Sequence, residues 1–316
     1  MPAGDTERAV GSGVACTALI SGDDLWRWWG GAMCRLFGLT AGAVRVRATF
    51  WLLDAPDSLQ VQSHRNADGA GIGFFDLAGE SVLDKQPEAA FRDEDFTHEA
   101  QQAESSAFVA HVRFATAGGR TLQNTHPFAL GGRIMAHNGG FGELAQLDAQ
   151  LGSYRDLVLG DTDSERYFAL ITQQTDAHGG DVGAGIAEAA SWIAARLPVS
   201  SLNTIVAAPG ELWALRYPDA HALHILERPA GRSTGAPAAG LRVRSSISSV
   251  HVPALEGAAS VVVASERLDG ESGWRMLASG ELVHVRPDLS VHSEIVITQP
   301  PAHLVPLPAG NPNIDT

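Results

Sequence analysis

The chain has 316 residues, room for one large domain or two small ones at about 100–200 residues each. Apolar residues make up 45% and charged residues 18%, a balance that supports a packed core and excludes a disordered chain. Lys and Arg total 22 against 36 Asp and Glu, a net charge of −14. That argues against nucleic acid or an anionic membrane surface as partner and leaves room for a small anion held by one or two arginines.

Two cysteines, Cys16 and Cys34, cannot build a disulfide framework or a Cys-rich zinc site. No apolar run approaches the roughly 18–20 residues of a membrane span. Residues 1–33 do not read as a secretory signal, because Asp23, Asp24, Arg27 and three tryptophans fall where cleavage features belong. The expected location is the cytoplasm.

Residues 1–32 lack steady periodicity and are expected to be poorly ordered or absent from the working protein. Folded texture begins at Met33. Strands are predicted at Cys34–Leu39, Gly69–Asp76, Ala107–Arg113 and Arg133–His137, the last ending in the turn signal Asn138-Gly139-Gly140. A helix follows Gly160-Asp161-Thr162-Asp163-Ser164-Glu165, with Asp161 or Thr162 as N-cap and acids in its first turn. A second helix spans Val182–Leu197 and stops at Pro198. Strands return at Asn203–Ala208, Leu212–Tyr217, Ala222–Leu226, Ser260–Ser265, Leu282–Val285 and Val291–Ile297. Between them lies a Gly-, Ala-, Ser- and Pro-rich loop, Pro229–Gly240, and the chain closes in a Pro-rich extended tail. Many strands with grouped helices predict sheets packed face to face and covered by helices, in one domain.

Four segments could carry chemistry: Met33-Cys34, His111-Val112-Arg113-Phe114-Ala115-Thr116, Asn124-Thr125-His126-Pro127-Phe128 with the following His137-Asn138-Gly139, and Gly160 to Glu165. Each has an ordinary meaning alone. A strand cysteine is usually a small buried hydrophobe, Asn-Gly is usually a turn, and acids at a helix start are usually caps.

Taken in order, the segments MCRLFG, HVRFAT, NTHPF, AHNG and GDTDSE resemble the class II glutamine amidotransferases, N-terminal-nucleophile enzymes with a cysteine nucleophile. The small stand-alone members are the best match, and Val263–Leu268, Trp274 and Gly280-Glu281-Leu282 resemble their C-terminal part. The resemblance runs from Met33 to Ile297 and implies an α+β fold, a four-layer αββα sandwich of two mostly antiparallel sheets. It divides the chain into an extension (1–33, untranslated or removed), the amidotransferase domain (34–298) and a Pro-rich tail (299–316).

The resemblance also implies roles. Cys34 is the nucleophile, with its own free α-amino group as general base. An α-amine of pKa about 8 and a thiol of about 8.5 exchange a proton with little penalty. Asn138 and Gly139 correspond to the oxyanion hole. Arg113, assisted by Thr116, corresponds to the group that holds the substrate α-carboxylate, and Asp163 to the acid that holds the α-ammonium. His126 and His137 are read as structural hydrogen-bonding residues, and Asn66, Asp68 and Gly69 as a turn near the pocket. No cofactor or metal is implied.

A free amine on Cys34 requires residues 1–33 to be removed or never made. The second is favoured, because Gly30-Gly31-Ala32 can encode a ribosome-binding purine run just upstream of Met33. The implied partners are glutamine or a γ-glutamyl compound, a separate ammonia-accepting synthase subunit, and a second copy in a homo-oligomer. The leading reading is glutaminase-type hydrolysis of a γ-glutamyl amide. A γ-glutamyl amidohydrolase of ergothioneine-type synthesis stands second, since that group tends to lose the NTH and GDTDSE residues present here. A non-catalytic module that binds a γ-glutamyl metabolite or a partner protein is the reading from another class.

Overall fold

A computed structural model describes residues 34–114, 119–231 and 258–306. In chain order the strands are β1 (Arg35–Thr40), β2 (Ala70–Phe75), β3 (Ser81–Gln86), β4 (Ala107–Val112), β5 (Phe128–Leu130), β6 (Arg133–Phe141) and β7 (Pro198–Ala208). They continue with β8 (Glu211–Arg216), β9 (His224–Arg228), β10 (Ser260–Ala264), β11 (Arg275–Met276), β12 (Glu281–Val285), β13 (Val291–Ile295) and β14 (His303–Leu304). The helices are α1 (Leu59–Gln62), α2 (Glu94–Gln102), α3 (Leu144–Leu151), α4 (Asp163–Ala177) and α5 (Val182–Arg196).

The first sheet has the order β11-β9-β10-β1-β4-β2-β3, and the second β13-β12-β8-β7-β6-β5, with β14 added beside β7. All pairings within the sheets are antiparallel except β14 with β7. Three apolar clusters define the layers. Leu36 and Val109 of the first sheet meet Ile134, Ala136 and Ile205 of the second. The outer side of the first sheet packs Phe37, Leu39 and Phe108 against Leu59 of α1 and Phe96 of α2. The outer side of the second packs Met135, Leu202 and Val206 against Tyr167 and Ile171 of α4 and Ile186 and Ile193 of α5. This is a four-layer αββα sandwich.

The layering explains the strand sequences. β4, Ala-Phe-Val-Ala-His-Val, is buried at every position because both of its faces are covered, so it reads as an apolar run interrupted only by His111. Each large side chain buried this way contributes about 1.5–3 kcal/mol.

Several local elements differ from the sequence expectation. β6 does not end at His137. It runs through Asn138-Gly139-Gly140 to Phe141, paired residue by residue with β7, with a register shift only between Gly140 and Phe141. Long-range pairing overrides the turn propensity of Asn-Gly-Gly. Phe50–Asp54 forms a short π-helical turn, closed by the Ala55 N–H donating to the Phe50 carbonyl at 2.7 Å. The sequence expectation does not include β3, β5, β11, α1, α2 or α3: β3 is half-buried throughout and lacks apolar alternation, and the others are short. The Pro-rich end adds His303 and Leu304 to the second sheet, opposite Pro198 and Val199. Of the Pro229–Gly240 loop, positions 232–240 lie outside the described residues, as do residues 1–33. Among the described residues no helix is long and apolar enough to cross a membrane.

Candidate active site

The site forms where β1, β4, β6 and the start of α4 come together. In the β1–β4 ladder Arg35 pairs with Val112, so the residue before β1, Cys34, comes opposite the residue after β4, Arg113. The Cys34 thiol donates to the Phe114 carbonyl at 3.4 Å, and its sulfur accepts the Phe114 N–H at 3.3 Å. From the second sheet, the Asn138 side-chain amide donates to the Cys34 carbonyl at 2.9 Å. Arg35 donates to the same carbonyl at 3.4 Å and is itself ion-paired with Glu266. Two sheets thus converge on one cysteine.

Gly139 shows why that register needs glycine. Its φ is +154°, and a Cβ there would lie 2.0 Å from the Ser201 carbonyl oxygen. Ser201 also ties down the neighbours: its hydroxyl donates to the Asn138 carbonyl at 3.1 Å, and its carbonyl lies 3.2 Å from His137 Nε2. A carbonyl can only accept, so His137 Nε2 carries the proton, and Nδ1 accepts from the Ser164 hydroxyl at 2.9 Å. Burial holds the His137 pKa below its ordinary value and keeps the ring neutral. His137 therefore makes the structural hydrogen bonds expected of it.

Asp163 opens α4. Thr162 is the N-cap, its hydroxyl accepting the Glu165 N–H at 3.2 Å. Asp163 accepts the Phe141 N–H at 3.2 Å on one oxygen and the Ser164 N–H at 2.8 Å on the other. Arg113 is 4% exposed and donates to the Gly119 carbonyl at 3.1 Å. Asp68, Asp163 and the Cys34 sulfur all act on its guanidinium. The Asn66–Gly69 segment lies where expected: the Asp68 N–H donates to the Arg113 carbonyl at 3.1 Å, and the Arg113 N–H to the Gly69 carbonyl at 2.7 Å.

Of the residues singled out from the sequence, Cys34, Arg113, Asn138, Gly139 and Asp163 share one site, while Thr116 lies outside the described residues. His126 differs from the expectation. Among the described residues neither ring nitrogen has a hydrogen-bond partner, and the ring lies against His111 at 4.3 Å and Phe128 at 4.6 Å between centroids. Burial drives its pKa well down, so the neutral ring acts as an aromatic packing piece. Sequence reasoning missed Phe114, Ser164, Ser201 and Arg35. Ser164 and Phe114 lie inside segments already noted, whereas Ser201 carries no local signal because its role comes from strand register.

Burial raises the Cys34 thiol pKa, and the Asp163 charge adds to the rise, while the Phe114 N–H, Arg113 and Arg35 oppose it. In the full chain, alkylation of Cys34 by iodoacetamide should therefore climb with pH to a midpoint above the ordinary thiol value of about 8.5. Asp163→Asn removes a negative charge and should lower that midpoint. A rate–pH profile checks both, and a midpoint at or below the ordinary value contradicts the burial argument.

A family profile for class II glutamine amidotransferases matches residues 33–303. The chain is 30% identical over 263 residues to the γ-glutamyl-hercynylcysteine sulfoxide hydrolase of Mycobacterium tuberculosis, covering 80% of this chain and 93% of that protein. It is 30% identical over 126 residues to the probable glutamine amidotransferase DUG3 of Saccharomyces cerevisiae, covering 37% of this chain and only 35% of that protein. Its fold is similar to that of a glutamine aminotransferase class-II domain protein from Silicibacter pomeroyi, with a TM-score of 0.54 and 18% identity, over 84% of this chain and 100% of that one. The profile match over most of the chain, on this sandwich and around this cysteine, shows that the chain belongs to the class II glutamine amidotransferases, enzymes that act on a γ-glutamyl C–N bond.

Proposed function

We propose that the protein hydrolyses a γ-glutamyl amide through a thioester on Cys34. The sulfur attacks the γ-carbonyl carbon, the C–N bond breaks, and ammonia or an amine leaves with the proton taken from the thiol. Water then attacks the thioester, releasing glutamate and returning a proton to the sulfur. The free α-amino group of a chain beginning at Cys34 carries the proton between these steps. Asn138 and Gly139 stabilise the oxyanion, Arg113 and Thr116 hold the α-carboxylate, and Asp163 holds the α-ammonium. The observation that carries this reading is the Asn138 amide 2.9 Å from the Cys34 backbone carbonyl, which brings the proposed oxyanion donor of one sheet to the residue that carries the thiol on the other.

Two partner classes fit this reading: a small γ-glutamyl substrate and a separate protein that accepts ammonia. The hydrolase reading, in which the substrate is a γ-glutamyl conjugate of a sulfur-bearing histidine derivative, is favoured by the match across 93% of the mycobacterial relative.

The test compares the chain beginning at Cys34 with the 316-residue chain. Glutamine, γ-glutamyl-p-nitroanilide and γ-glutamyl-hercynylcysteine sulfoxide are supplied to each. The short form should release amine or ammonia and the long form should not. A higher kcat/KM for the conjugate than for glutamine selects the hydrolase reading. Binding of γ-glutamyl compounds by the Cys34-initiated form without turnover would overturn both readings in favour of a binding module.

A further inference from the structure

The Asn124-Thr125-His126-Pro127-Phe128 segment is left without a function by this chemistry, yet its first residue sits at a junction. Asn124 is 1% exposed. Its side-chain amide donates to the Gly119 carbonyl at 3.2 Å, the same carbonyl that accepts the Arg113 guanidinium at 3.1 Å. Its side-chain oxygen accepts the Asp161 N–H at 2.9 Å, two residues before Asp163. One side chain thus joins the loop that receives Arg113 to the loop that launches α4.

The α4 side of this joint is itself held. Glu165 accepts the Leu159 N–H at 2.9 Å and the Gly160 N–H at 2.6 Å, folding the segment before the helix back onto its first turn. Gly160 gives Asn124 room: a Cβ there would lie 2.5 Å from the Asn124 side-chain oxygen. The segment 119–125 adds its own closure, with the Thr125 hydroxyl donating to the Thr121 carbonyl at 2.8 Å.

We infer that Asn124 is a positioning residue that sets the spacing between Arg113 and Asp163, and so makes the site selective for ligands carrying both an α-carboxylate and an α-ammonium. The inference rests on the reading above, in which those two residues grip the two ends of the glutamyl head. A primary amide suits the task because it supplies one donor and one acceptor, and the two loops require one of each. Asp in its place keeps the acceptor for Asp161, loses the donor to Gly119, and adds a negative charge near Arg113.

The test measures binding of L-glutamate, glutarate and 4-aminobutyrate by calorimetry in the full chain. Glutarate lacks the α-ammonium and 4-aminobutyrate lacks the α-carboxylate. The parent should prefer glutamate strongly over both. Asn124→Asp should weaken glutamate about tenfold or more while changing the one-ended ligands far less, so that the preference collapses. In the form that turns over, KM for γ-glutamyl-p-nitroanilide should rise by a similar factor, with kcat altered less than about threefold. Gly160→Ala, which pushes a methyl group against the Asn124 oxygen, should move the same preference in the same direction and serves should Asn124→Asp fail to fold. Unchanged glutamate affinity overturns the proposal, as does equal weakening of all three ligands, which would mark a general loss of structure. A parent that binds none of them overturns the underlying reading of Arg113 and Asp163 and this inference with it. A parent that prefers glutamate, with variants that keep the preference, overturns this inference alone.

Discussion

In the chain beginning at Cys34, Cys34→Ala should abolish turnover: kcat on any γ-glutamyl amide should fall roughly 10⁴-fold or more, since among the described residues no other cysteine is present to form the thioester. The surroundings of the side chain make the substitution a clean one. The hydrogen bonds of the thiol go to the Phe114 backbone. The Asn138 and Arg35 bonds go to the Cys34 carbonyl, which alanine retains. Arg113 and Asp163 are anchored by their own backbone partners, so the variant should still bind glutamate. Calorimetric titration with glutamate beside a single-turnover assay separates the two properties. Turnover equal to the parent would remove Cys34 from the chemistry.

Gly139→Ala should cost both stability and activity. The added Cβ would lie 2.0 Å from the Ser201 carbonyl oxygen and 2.4 Å from its carbon, and both are backbone atoms of the paired strand. No side-chain rotation relieves such a clash, and the positive φ adds strain of its own. Together these cost roughly 3 kcal/mol. At about 2–4 °C per kcal/mol for a chain of this size, the midpoint of thermal unfolding should drop by about 6–12 °C. Strand β6 must move away from β7 at this point, carrying Asn138 away from Cys34, so kcat should fall by about 10²-fold or more. Ser201→Gly in the same chain removes a side chain but not the carbonyl, so it should not restore either property. A Gly139→Ala protein with parental stability and kcat would mean that the β6–β7 register has no part in placing Asn138.

The chemistry-bearing residues were legible in the chain because each lies in a short segment of unusual composition. Cys34 follows directly on the start of folded texture, Arg113 ends an apolar strand, and Asp163 belongs to an acidic, Thr-capped helix start. Local chemistry dictates these features. A Thr hydroxyl satisfies a free N–H group at the start of α4 whatever the rest of the fold does, and a strand covered on both faces is rich in apolar residues.

Residues whose role depends on what lies across the sheet were not legible. Asn138-Gly139-Gly140 carries a turn signal, yet it is strand, because β7 supplies the pairing and Gly139 admits the Ser201 carbonyl. His126 has the chemistry of a hydrogen-bonding residue but packs against His111, which is 15 positions away in sequence and adjacent only once β4 is placed beside the segment leading into β5. Asn124 stands in a noticeable motif, but its work of joining two loops needs Gly119 and Asp161 brought to either side of it. By itself the sequence determined which groups are present and which backbone ends they cap. The tertiary structure decided which of them face one another, because strand register and loop contact arise from pairings over long stretches of chain that no local propensity encodes.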